Sequence, residues 1–230
     1  MPDLDLETRD GLPDELAYLR ASYPKADWRQ HRNFGELSNF WLQVHDHLRK
    51  HGSHLDKVTA GFREGKLDAG SYRQFFAPGL NQFLQHLHGH HQIEDRHYFP
   101  KFRSLDPRMA AGFDLLDSDH QLIHAALLAS AEAANRFLAA FGKDLDAVRH
   151  EGDAYAESSA RLLKQLMRHL ADEEDLVVPA MLHHGERAIG ITGSRRPQMA
   201  GRSTPGEFAV TLKPAPWSAV AIALGGQAFS

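Results

Sequence analysis

Two stretches decide the fold: HHQIEDRHYFP at residues 90–100 and HLADEEDLVVP at residues 169–179. Each opens with a histidine, places a glutamate four residues on (Glu94, Glu173) and follows it with a second acid (Asp95, Glu174). Each carries a proline ten residues beyond the histidine, Pro100 and Pro179. On an α-helix, residues i and i+4 lie one above the other on a single face. Each His-x-x-x-Glu therefore aims an imidazole and a carboxylate in the same direction. A third pair, His120 and His124, stands in DHQLIH at residues 119–124.

The sequence around these pairs predicts four long helices. The first runs about 35–63, with Leu37, Phe40, Trp41, Val44, Leu48, Leu55, Val58 and Phe62 as apolar positions, and ends near Gly65. The second runs about 69–103; Pro78 falls early in it and marks a start or a kink. The third runs about 107–141, with Asp106 as cap and Pro107 in its first turn. The fourth runs about 144–184 and stops at Gly185. Short connections and the lack of strand-type alternation predict an all-α, antiparallel up-and-down four-helix bundle over residues 34–184. Residues 1–33 read as an N-terminal extension with anchors Leu19, Tyr23 and Trp28, and 12–22 as a short helix opening at Pro13. Residues 185–230 read as an irregular, loosely docked or disordered Gly/Pro-rich tail with a short apolar stretch, Trp217–Leu224.

Composition narrows the chemistry. With no cysteine, disulfides, iron–sulfur clusters, thiolate zinc sites and cysteine nucleophiles are excluded. A net charge of -4 gives no basis for binding nucleic acid. No run approaches the roughly 20 apolar residues needed to span a bilayer, so no membrane role is expected. The acidic start MPDLDLETRD is unlike a secretory signal, and a cytoplasmic location is expected. Histidine is the outlier: 16 of 230 residues, roughly three times an ordinary share. Histidine is also the commonest metal ligand. Carboxylates and imidazoles on inner helix faces cost several kcal/mol each if unpartnered, which favours a metal over chance placement.

The paired His-x-x-x-Glu segments and the His-x-x-x-His of DHQLIH resemble those of hemerythrin-like (HHE cation-binding) proteins. The resemblance spans about residues 35–184. That family's first ligand is a histidine followed by apolar residues at +3, +7 and +10. His45 fits, with Leu48 at +3 and Leu55 at +10, although Gly52 takes the +7 place. On a plain helical wheel His51 lies nearer the apolar centre and is the alternative. The hemerythrin oxygen carriers end with an aspartate where this chain has Glu173, which places it nearer the broader HHE group.

The resemblance implies seven metal ligands: His45, His90, Glu94, His120, His124, His169 and Glu173. It implies two iron ions joined by an oxo or hydroxo bridge, with manganese or zinc as substitutes. His120, His124 and His169 would hold one, and His45 and His90 the other. Glu94 and Glu173 would bridge, and Leu48, Leu87, Ile123 and Leu166 would keep the open position dry.

His97, one turn beyond Glu94, is expected near the site as a hydrogen-bond partner, extra ligand or proton donor. Asp119 is expected to cap or orient a neighbouring ligand. Asp95, Glu174 and Asp175 are expected on the solvent side or just behind the ligands. His47, His54, His86, His88, His91, His150, His183 and His184 are expected to be solvated. Tyr98 and Tyr155 are read as core. The implied function is binding or sensing of dioxygen or a related small ligand. The alternatives are peroxide or nitric oxide reduction fed by a separate redox partner protein, iron storage, donation or repair of iron centres, and a structural or signalling module whose metal only stabilises the bundle.

Overall fold

The computed structural model describes residues 3–189. Five α-helices account for most of them: α1 (Glu36–Arg63), α2 (Ala69–Ile93), α3 (Phe99–Leu105), α4 (Ala110–Ala140) and α5 (Leu145–His184). No strand occurs among the described residues. The helices pack as a bundle in which α4 lies along α5, and α1 along both α2 and α5.

Local chemistry sets the helix ends. Asp68 caps α2 by accepting from Ser71 N at 2.9 Å, and Asp144 caps α5 by accepting from Ala147 N at 2.8 Å. Helix α1 begins after Gly35 and has no local cap. Its free amides at Gly35, Leu37 and Ser38 donate instead to the Glu186 carboxylate, at 3.0, 3.2 and 2.8 Å. Helix α5 stops at Gly185, whose φ of 80° suits a residue without a side chain.

The second predicted helix is divided. It starts at Ala69, runs through Pro78 and then widens into a π turn, Glu94–Tyr98, before continuing as α3. The Phe99 amide reaches back to the Glu94 carbonyl, which is the i→i+5 bond of a π turn. The 12–22 helix is not formed. One turn closes at Pro13, and a 3₁₀ turn follows at Arg20–Ser22. The extension is nonetheless packed, burying Leu6, Leu12, Ala17, Leu19 and Trp28. Of the expected tail, Glu186–Ile189 form a 3₁₀ turn with Ile189 buried; the apolar stretch 217–224 lies outside the described residues.

Most of the core falls into two apolar clusters, with Trp28, Val178 and Leu182 forming a small third one. The first gathers Leu48, Phe76, Phe83, Leu87, Ile123, Leu127, Tyr155, Leu166 and Leu170. The second gathers Trp41, Phe99, Phe102, Phe113, Leu116, Leu176 and Met181 with the extension's Leu12 and Leu19. Along every long helix the chain passes from one of these two to the other through polar residues: His45 on α1, His90 to Glu94 leaving α2, His120 on α4, and His169 with Glu173 on α5. Each fully buried Leu or Phe stabilises by about 1.5–3 kcal/mol. Two greasy layers thus hold a thin polar layer at a common level.

Candidate metal centre

Seven buried or nearly buried side chains meet in that layer. His45, His90, Glu94 and Glu173 form one group, and His91, His120 and His169 a second; within each, one donor atom per residue lies within 4.8 Å of the others. The glutamates span the groups. Glu173 Oε2 is 3.5 Å from His45 Nε2 and 3.5 Å from His169 Nε2. Glu94 reaches His90 Nε2 with Oε1 at 3.0 Å and His120 Nε2 with Oε2 at 3.7 Å.

Carboxylates behind the rings fix which nitrogen faces inward. Asp95 Oδ1 lies 2.6 Å from His120 Nδ1, Asp119 Oδ2 lies 3.3 Å from His169 Nδ1, and Glu174 Oε1 lies 3.2 Å from His45 Nδ1. An ionised carboxylate only accepts, so each ring donates its Nδ1–H and turns Nε2 to the interior. Arg49 and Lys25 hold Glu174 in turn, each at 2.6 Å.

One consequence is an arrangement that does not balance by itself. His120 Nε2 and His169 Nε2 are 3.0 Å apart. With both Nδ1 protons engaged, two neutral rings face each other lone pair to lone pair. A proton between them would make one ring an imidazolium, and burial pushes His169 away from its charged form. A metal ion bound by both Nε2 atoms would resolve the contact, because each lone pair would then have a cationic partner.

The remaining donors are orphaned. Both oxygens of Glu94 and of Glu173, and Nε2 of His45, His90 and His91, are buried without a hydrogen-bond partner. The 3.0 Å approach of His90 to Glu94 lacks hydrogen-bond geometry. Each unsatisfied buried group costs about 1–3 kcal/mol. Burial drives His90 and His91 well below the ordinary imidazole value, which leaves them as neutral donors. Burial and the neighbouring Glu173 hold the Glu94 carboxyl well above its ordinary value. Glu173 is also buried, yet His45, His90 and His169 pull it well below. Burial opposes charge on His45, but Glu173 and Glu174 outweigh it and raise its pKa. Imidazole and carboxylate donors of this kind suit a borderline divalent cation.

Six of the seven expected positions are brought together, and His45 rather than His51 stands among them. His51 is half-buried on α1 against the Phe83 ring, 5.6 Å away between centroids. His124 is not brought in. It pairs with His88, ring centroids 5.4 Å apart, in a cleft of about 230 Å³ that backs onto the site. His91, expected to be solvated, takes that place and stacks on His120 with centroids 4.0 Å apart. The reason is that α2 faces two neighbours. His90 turns towards α1, 5.1 Å from His45, while the adjacent His91 turns towards α4 and α5. The His90–His91 doublet was the available signal. His97 is exposed. The π turn rotates less per residue than an α turn and carries it off the face that Glu94 occupies.

The model of the hemerythrin HHE cation-binding domain family matches residues 29–181. The chain belongs to this family. Membership and the convergent His/Glu groups together mark this hemerythrin-like domain as a metal-cation binder. No curated protein and no solved structure matches the chain. No helix among the described residues is long and apolar enough to cross a membrane.

Proposed function

We propose that this domain holds two iron ions and binds or senses dioxygen or a related small ligand. His91, His120 and His169 would hold one ion, and His45 with His90 the other, with Glu94 and Glu173 shared between them. The observation that carries this reading is the 3.0 Å approach of His120 Nε2 to His169 Nε2 with both Nδ1 atoms committed to carboxylates. The two glutamates, each within 3.7 Å of both groups, support a pair of ions over a single one. Four long helices joined by short connections support the up-and-down order of the family.

When bound, such a pair supplies redox chemistry and an open position for a small ligand. The chain supplies the surroundings. Leu48, Leu87, Ile123 and Leu166 are fully buried around the centre and exclude water. Asp95, Asp119 and Glu174 keep the Nδ1 protons in place and the Nε2 atoms inward. His97, the residue that would favour catalysis as a proton donor, is exposed, and binding is favoured over turnover.

Elemental analysis and optical spectra of protein purified from iron-supplemented cells test this. About two irons per chain, and a spectral change when the reduced protein meets oxygen, are expected. Absence of iron, or a reduced protein inert to oxygen, rules the reading out. Sustained turnover of peroxide or nitric oxide with a reductant would replace sensing by catalysis.

A further inference from the structure

The N-terminal extension buries a charge that anchoring does not require. Leu6, Leu12 and Leu19 already fasten it to the two core clusters. Its backbone also comes close to α4: a Cβ at Gly112 would stand 3.1 Å from the Leu16 carbonyl oxygen. Yet Arg9 enters the protein with its side chain 0% exposed. Its Nε donates to Asp172 Oδ2 at 2.9 Å, and its Nη1 donates to Asp119 Oδ1 at 3.0 Å and to the Leu4 carbonyl at 2.9 Å. Nη2 also donates to Asp119. Burying a guanidinium costs several kcal/mol, and an apolar side chain in its place is often as stable. What distinguishes Arg9 is its position. It grips the carboxylate whose other contact is His169 Nδ1 at 3.3 Å.

We propose that residues 3–12 form a strap belonging to the metal centre, in which Arg9 is a positioning residue for His169. The fork of Arg9 fixes the Asp119 carboxylate. Asp119 accepts the His169 Nδ1–H, and the ring is left with Nε2 aimed at the ion. The inference rests on the reading of the buried His/Glu groups as a metal centre. A contrast lies in the same extension: Lys25 reaches Glu174, behind His45, but its side chain is 63% exposed and Arg49 holds the same carboxylate. Arg9 is the indispensable cation, and Lys25 is replaceable.

The full chain, loaded with cobalt(II), tests this through three measurements: metal per chain, the rate of extraction by a chelator, and the cobalt-shifted exchangeable ring N–H signals in proton NMR. The His169 signal is the one missing from a His169→Ala variant. Arg9→Met is expected to speed extraction about 10- to 100-fold, the range typical of lost partners behind a ligand. It is also expected to abolish the His169 N–H signal. Arg9→Lys should restore part of both, and Lys25→Met should leave both within about twofold. Arg9→Met with wild-type extraction and an intact His169 signal overturns the strap. So does Lys25→Met matching Arg9→Met. A wild-type chain that takes up no metal overturns the metal-centre reading and this inference with it, whereas metal uptake with an Arg9-independent signal overturns this inference alone. Should Arg9→Met fail to fold, Arg9→Met/Asp172→Leu removes one charge of each sign and leaves Asp119 to report by the same readouts.

Discussion

Asp95 accepts a hydrogen bond from His120 Nδ1 across 2.6 Å. The π turn that begins at Glu94 thus orients a ring on α4 through Asp95, while Glu94 itself points into the site. Because Asp95 lies at the turn and its side chain is 33% exposed, its loss should spare the fold. Asp95→Ala should weaken metal binding about 10- to 100-fold, with Asp95→Asn intermediate. A competition titration against a chelator reads this; equal affinity in all three proteins would contradict the orienting role.

His91→Ala and His124→Ala should behave oppositely. The first removes a donor from the group with His120 and His169 and should leave about one metal per chain. The second removes a ring that is not a member of that group, although it lines the cleft behind His91 and His120, and should retain the full complement. Metal content by elemental analysis decides; full loading of His91→Ala would return the position to His124.

The metal-free protein should lose stability as pH falls below 6.5. Burial lowers the folded pKa of His90, His91 and His169, so below 6.5 the unfolded chain binds more protons than the folded one. Their stabilisation is fully present above that value and declines on acidification. His86, pushed down to about 4 by burial and by His47 and His51, extends the decline between pH 6.5 and about 4. His45 and Glu94 are raised and act in the opposite sense, favouring the folded state at low pH and losing that effect as pH rises. The lowered groups outnumber the raised ones. Thermal unfolding of chelator-treated protein should show a falling midpoint from pH 7 to pH 4–5; a rising one would invert this balance.

Metal should raise the unfolding midpoint, because the unfolded chain does not assemble the seven donors. At free metal 1,000 times the dissociation constant the gain is about 4 kcal/mol. A midpoint unchanged by adding or stripping metal would place the binding elsewhere.

Gly52 stands where an apolar residue is expected on α1. A Cβ there would lie 2.5 Å from Leu163 Cδ2 and 3.3 Å from the Phe83 ring. Gly52→Leu should therefore destabilise by about 1–3 kcal/mol through overpacking. Denaturant unfolding measures it, and a more stable variant would show unused space.

Much of the bundle was legible because helix periodicity and caps are local. Asp68, Asp106, Asp144 and Gly185 sit at ends that the chain itself dictates. His90 with Glu94 and His169 with Glu173 announce themselves by a spacing that one helix imposes. The π turn was not legible, since EDRHY carries no signal that separates a five-residue turn from an ordinary one.

What the amino-acid order determined alone was the set of long helices, the two His/Glu pairs and the family. Each follows from relations within a few residues or from a pattern spread along the chain. Only the tertiary structure decided that His91 enters while His124 stays in the cleft, that His97 turns outward, and that Arg9 reaches Asp119 across 110 residues. Those outcomes depend on how each helix is rotated against two or three neighbours at once, which no single helix's sequence specifies.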